Sequence, residues 1–350
     1  MVTGAVIGGL GIAYPPAVAQ DEVWRGFFSG HYAGVARGLA KRVFENSGVV
    51  TRHGVVNPLV EDPSRWTTSQ RMERYLAEAL PLGKDAVSSA LASADVAASD
   101  VGLFVVCSCT GYVTPGLDIL LARDLGLPPS ARRVFVGHMG CYAALPGLSV
   151  ASDYVSLHRR PAVLLCVELP SLHVQPPTVD PQQVVAHALF SDAAAAAVLV
   201  PASDGYAVRG VASLTDTTTA DHMTWQVTDL GFRMGLSPKV PEVLSRHVLP
   251  LVTDMLGPHD LGVSAVDAWA VHPGGPRILD VVAKELGLPP RAMDASQACL
   301  AAHGNCSSPT VLMILESILR SRPEPGPETI MVLAFGPGLT LYGALLGSPR

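Results

Sequence analysis

The chain has 350 residues, 49% of them hydrophobic and only 15% charged, with a formal net charge of −6. That length exceeds one ordinary domain and supplies apolar side chains for an extensive core, and the acidic balance offers nothing to nucleic acid. No run of about 18 apolar residues predicts a membrane span, and Met1 to Gln20 has no basic n-region of a signal peptide and is broken by Gly8, Gly9 and Gly11.

In chain order, Ala5 to Leu10 predicts a first strand. Gln20 to Ser47 reads as one helix, with Asp21 and Glu22 near its start and Lys41 and Arg42 towards its end. Val49 to Asn57 is a strand or loop. Ser69 to Ala92 has helical period, with a break expected near Pro81. Val101 to Cys107 is a buried strand running into the polar, glycine-containing loop Ser108 to Gly116, the kind of turn that binds ligands at a sheet's carboxyl edge. A short helix follows over Asp118 to Asp124.

Val134 to Val136 predicts a short buried strand. Gly137 and Gly140 bracket a sharp turn, Cys141 follows, and a helix continues towards Leu157. A cysteine between a strand and a helix start is well placed for nucleophilic chemistry, because free N–H groups and the helix dipole favour the thiolate. Ala162 to Glu168 is a further buried strand, Leu172 to Pro181 irregular, Gln182 to Phe190 a short helix and Ala193 to Val200 a strand.

A second pattern of strands and helices starts at Tyr206. Pro241 to Leu256 is a helix. Ala268 to His272 is a buried strand that delivers a histidine at its end, followed by Pro273-Gly-Gly-Pro276 and a helix over Arg277 to Leu286. His303 to Ser308 is a polar turn before a helix over Pro309 to Leu319. Ser321 to Glu328 is a charged surface loop, Ile330 to Phe335 a strand, Gly336-Pro337-Gly338 a tight turn and Leu339 to Leu346 a final strand. This alternation predicts an α/β architecture. A strand ending in a reactive residue in each half, Cys141 in 1–205 and His272 in 206–350, argues for a duplicated organisation with the site where the halves meet.

The six cysteines, Cys107, Cys109, Cys141, Cys166, Cys299 and Cys306, form no C-x-x-C pair and no small-domain disulfide framework. A reducing, cytoplasmic setting and no metal are expected. Cys141, His272 and Asn305 each follow a buried segment at a polar turn. Together they supply a thiol, an imidazole to hold it as thiolate, and an amide donor that with the imidazole can stabilise an oxyanion. The chemistry implied is acyl transfer onto sulfur.

These residues carry a resemblance. Gly137-His-Met-Gly-Cys-Tyr-Ala-Ala144, Ala270-Val-His-Pro-Gly-Gly-Pro276, His303-Gly-Asn-Cys-Ser-Ser308, Ala188-Leu-Phe-Ser-Asp-Ala193 and Ala334-Phe-Gly-Pro-Gly-Leu-Thr340 stand in the order and spacing of the type III polyketide synthases of the chalcone synthase superfamily. The chain resembles a bacterial member along nearly its whole length. The resemblance implies a thiolase-like fold, a duplicated five-layer αβαβα architecture, and a homodimer without cofactor. Its substrates would be CoA thioesters: an acyl-CoA starter loaded on Cys141 and a malonyl-CoA-type extender. His272 and Asn305 would polarise the extender's thioester and stabilise the enolate left by CO2 loss. Imidazolium paired with thiolate is the resting state expected.

The same alignment of motifs assigns Phe190 as gatekeeper. It puts Met234 where plant members have a second phenylalanine, and this softer side chain favours longer or aliphatic acyl groups. Trp225 stands at a position that is a small glycine in plant enzymes. Pro170 and His173 occupy two threonine positions of the cavity, and Cys109, Thr110 and Ser307 are expected to line the rest, with Gly336, Pro337 and Gly338 as the C-terminal signature turn. Thr114 replaces a methionine that plant enzymes insert into the partner's cavity. Arg42 matches one CoA-phosphate contact, whereas Leu39 and Asn46 stand where two lysines would be. These departures argue against a flavonoid product. Two other readings fit the three residue types: a ketoacyl-ACP synthase III-like enzyme making one condensation, and a non-catalytic acyl-CoA-binding homologue.

Overall fold

The computed structural model describes residues 4–34, 36–202, 205–321 and 326–348; part of the expected 321–328 loop therefore lies outside them. In chain order the strands are β1 (Gly4–Ala13), β2 (Ala17–Ala19), β3 (Thr51–His53), β4 (Leu103–Cys107), β5 (Arg132–Val136), β6 (Ala162–Glu168), β7 (Ala193–Ala202), β8 (Tyr206–Thr215), β9 (Met223–Thr228), β10 (Gly231–Leu236), β11 (Ala268–Val271), β12 (Thr329–Gly336) and β13 (Thr340–Gly347). The longer helices are α1 (Arg37–Glu45), α2 (Thr68–Ser93), α3 (Leu117–Leu125), α4 (Ala144–His158), α5 (Pro181–Leu189), α6 (Val240–Leu256), α7 (Pro276–Glu285), α8 (Asp294–His303) and α9 (Pro309–Arg320).

Nine strands run in the order β11-β12-β13-β8-β1-β7-β6-β4-β5. β1 and β8 meet only through Val6 with Ala207 and Ile7 with Tyr206, so the sheet can fold about that short junction into two facing parts. The strands are apolar on both faces, as strands covered on both sides must be. Odd and even residues of β6 and β7 divide between two cores. Val163, Leu165, Ala194 and Ala196 pack under Ala86, Val87 and Ala90 of α2. Leu164, Cys166, Ala195 and Ala197 face α4 and α9 through Leu145, Leu148, Val311 and Ile314. Val332 and Ala344 reach the same central layer from the other part of the sheet. Met331, Leu333 and Leu345 turn away from it, to Val248, Val252 and Leu279 of α6 and α7. The result is α2, sheet, α4 with α9, sheet, α6 with α7: the five-layer arrangement expected of a thiolase-like fold.

The fold corrects several expectations. Gln20 to Ser47 is not one helix; a helical turn at Gln20–Val23 passes into a π turn at Trp24–Phe28, and a separate α1 follows. α2 is unbroken through Pro81, whose ring is on the exposed face, where solvent can donate to the carbonyl that loses its helical partner. A capping box of Thr67 and Gln70 fixes its start. β5 is not buried. It is an edge strand, with Val134 36% and Phe135 43% exposed. The β9–β10 hairpin was not foreseen; it closes over the cavity described below.

Glycines set the spacing of the outer layer. A Cβ on Gly11 would stand 2.3 Å from the carbonyl oxygen of Ala86 and 2.4 Å from the nitrogen of Ala90, so β1 lies against the backbone of α2. The obstacle is backbone and cannot rotate away. Gly11→Ala is expected to cost about 2 kcal/mol, seen as a melting temperature lowered by several degrees. An unchanged melting temperature would contradict this contact.

Candidate active site

Cys141 follows β5 on a tight turn. Gly140 has φ +71°, and a Cβ there would meet the Pro337 ring at 2.9 Å, so glycine is required twice over. A short 3-10 turn, Gly140–Tyr142, carries the cysteine into α4. The thiol is 6% exposed, and Ser307 Oγ donates to its sulfur at 3.5 Å. Ser307 reaches it from a left-handed backbone, φ +57°, that a side-chain-bearing residue seldom adopts.

Asn305 lies between α8 and α9. Its backbone N–H donates to Leu189 O at 2.9 Å and its carbonyl accepts from Ser191 N at 3.0 Å, so it is locked to the strand-like segment that carries Phe190. Its Oδ1 accepts from Ser307 N at 2.8 Å. That fixes the amide orientation and leaves Nδ2 as the donor for the cavity. His272 follows β11, with its N–H donating to Leu333 O at 2.8 Å. Both ring nitrogens are buried without a hydrogen-bond partner. Cys141, His272 and Asn305 line one cavity of about 470 Å³, with Phe190 and Met234. Arg42 stands at its rim.

The resting thiolate–imidazolium pair expected from sequence is not what this environment favours. Burial pushes the Cys141 thiol up to about 11, partly countered by the Ser307 hydrogen bond. Burial holds His272 down at about 3. No protein partner offsets desolvation of the imidazolium, so burial acts against the charged pair.

On its other side Cys141 borders a small chamber of about 40 Å³ lined by Cys109, Thr110, Pro170, Phe190, Trp225, Met234, Ser307 and Pro337. The expected cavity residues therefore converge, with exceptions. His173 lines not this chamber but the neighbouring cavity of about 50 Å³, with Pro170, Phe190, Trp225 and Met234. It is stacked on Phe232 at 4.5 Å and held by Thr110 O at 2.7 Å and Phe232 N at 2.9 Å, so its ring is committed to structure. Gly336 and Gly338 shape the turn but only Pro337 lines the chamber. Thr114 is in an exposed loop, away from both cavities. Trp225 Nε1 donates to Cys109 O at 2.8 Å, which fixes the indole as a wall.

Sequence reasoning missed Glu168. It is fully buried and accepts from Cys109 N at 3.0 Å, Thr110 Oγ1 at 2.7 Å and Ser308 Oγ at 3.1 Å, joining the loop after β4 to the loop before α9. Burial raises its carboxyl to about 7. A lone carboxylate closing the apolar run of β6 was the available signal. His138, with φ +62°, and Met223 and Thr224 of the unforeseen hairpin also line the chamber. Among the described residues no group of three or more His, Cys, Asp or Glu is placed to hold a metal ion, and no helix is long and apolar enough to cross a membrane.

A thiol, an imidazole and an amide donor at one buried cavity in five αβαβα layers define a thiolase-like condensing enzyme. The comparisons narrow the class. Residues 4–203 match the N-terminal domain, and residues 212–349 the C-terminal domain, of the chalcone and stilbene synthases. The chain belongs to this family, the type III polyketide synthases. Among its relatives is the "alpha-pyrone synthesis polyketide synthase-like Pks18" of Mycobacterium tuberculosis, 33% identical over 87% of this chain and 81% of that protein. The 1,3,6,8-tetrahydroxynaphthalene synthase of Streptomyces peucetius is 35% identical over 89% and 84%. The crystal structure of PKS-I from the brown alga Ectocarpus siliculosus superposes with a TM-score of 0.93, at 29% identity and covering 99% of each chain.

A neutral thiol makes a distinct kinetic prediction. Alkylation of Cys141 by iodoacetamide, followed by peptide mass spectrometry, is expected to accelerate about tenfold per pH unit from pH 7 towards pH 10. A rate plateau below pH 8 would show a thiolate already formed at rest.

Proposed function

We propose that Cys141 takes an acyl group from a starter acyl-CoA, that malonyl-CoA or a substituted malonyl-CoA then extends it by decarboxylative condensation, and that the product cyclises to a pyrone, resorcinol or related polyketide. The observation that carries this reading is the shared cavity of Cys141, His272 and Asn305, with the donor side of the Asn305 amide left open. In it, His272 relays the thiol proton to the departing CoA sulfur during acyl loading, so that free CoA leaves and the ring returns to neutral. Its N–H and the Asn305 amide then bear on the extender's thioester oxygen. These donors accelerate the reaction by holding the enolate more tightly than the resting thioester. Phe190, bridged by its backbone to Asn305, screens that oxygen from water.

The small chamber walled by Trp225 supports a product of few extensions. A second cavity of about 50 Å³ lies across Trp225, Phe190 and Met234. Trp225→Gly would join the two and is expected to lengthen the starters or products accepted across acyl-CoAs from butyryl to palmitoyl, read by product mass spectrometry. An unchanged product profile would count against Trp225 as the wall.

The reading includes a homodimer. Edge strand β5 has unpaired backbone groups on one side and exposes Val134 and Phe135 at the free end of the sheet, with Val134 lining a surface depression shared with Val150 and Leu157 of α4. We infer that a second copy covers it. Phe135→Asp is expected to shift the protein to monomer in light scattering; a monomeric parent protein would contradict the inference. Free cysteines fit the reducing cytoplasm as its setting.

The direct test of loading is intact mass after incubation with acyl-CoA. The parent protein is expected to gain one acyl group and Cys141→Ala none. An adduct that persists in Cys141→Ala would overturn the nucleophile assignment.

A further inference from the structure

The cavity that opens on Cys141 has two cations in its lining and no carboxylate. Arg42 comes from α1. Arg277 comes from the second residue of α7, and the motif alignment gave it no role. The two helices are neighbours: a Cβ on Gly48, just past α1, would lie 3.0 Å from the Pro276 ring. Both side chains are exposed, and neither makes an ion pair or side-chain hydrogen bond among the described residues. An unpaired surface arginine is ordinary by itself. Here two of them share one opening, and between them and Cys141 the lining is largely apolar, through Val43, Leu244, Met223 and Leu189. That sequence of surfaces suits a molecule with a polyanionic end, a long neutral arm and a thioester at its tip. The chain also lacks two lysines that the family resemblance leads one to expect on α1 and just past it, having Leu39 and Asn46 there.

We propose that Arg277, together with Arg42, binds the phosphate-bearing end of the CoA thioester, so that a cation at the start of α7 takes over from the missing lysines. The inference rests on the polyketide synthase reading for the identity of the ligand. Arginine suits the role because its planar fork meets phosphate oxygens in pairs.

The test is calorimetric titration of the full-length protein with CoA and with phosphate-free pantetheine. Arg277→Ala is expected to weaken CoA about tenfold, Arg277→Lys less, and pantetheine by under twofold. Raising salt from about 50 to about 500 mM is expected to weaken CoA more in the parent protein than in Arg277→Ala. CoA binding within twofold of the parent in Arg277→Ala would overturn the proposal. So would an equal loss for pantetheine, which would mark a structural effect, or a parent protein that binds no CoA. Turnover of malonyl-CoA is measured separately: Arg277-dependent CoA binding without any turnover would sustain this inference while sinking the proposed activity.

Discussion

The structure depends on the burial of two helices side by side between two layers of sheet. α4 and α9 lie between the two sheet layers with Leu145, Leu148, Val311 and Ile314 in the central core, and α4 reaches the surface at Val150 and Leu157. Neither can shift without opening that core, because interiors pack too densely to adjust by small movements. Cys141 immediately precedes α4 and Asn305 immediately precedes α9. Fixing the helices therefore fixes the starts of both, and the 3.5 Å contact of Ser307 with Cys141 is the point where the two meet. Glu168 ties the loop before α9 to the loop after β4, which lines the same chamber.

Burial that secures the geometry also sets the chemistry. A site this dry disfavours isolated charge on both the thiol and the imidazole. Both ring nitrogens of His272 lack protein partners, so either can face a bound thioester. The same low-polarity surroundings strengthen each hydrogen bond made to a developing enolate.

Much of the layer plan was legible from sequence. Short apolar runs ended by polar turns marked β4, β6, β11 and β12, and the motifs around residues 141, 272 and 305 led to the thiolase-like fold. What escaped has physical reasons. Val134 to Val136 is as apolar as any interior strand, and only the strand order makes it an edge. Pro81 breaks helices by rule, yet on a solvated face of a long, well-packed helix its cost is small. The β9–β10 hairpin alternates half-buried residues over an irregular turn, so its period is weak. Glu168 carries no motif; its importance comes from three donors that are distant in sequence. The convergence of the site loops is a property of packing that periodicity does not encode.

The central claim is that His272 and Asn305 act on a thioester bound beside Cys141. Release of labelled CO2 from carboxyl-labelled malonyl-CoA tests it most directly, because it reads enolate formation without requiring condensation. The account expects steady release by the parent protein and a fall of about 10²–10³ when Asn305 or His272 is replaced by alanine. Release at the parent rate in both variants would contradict it.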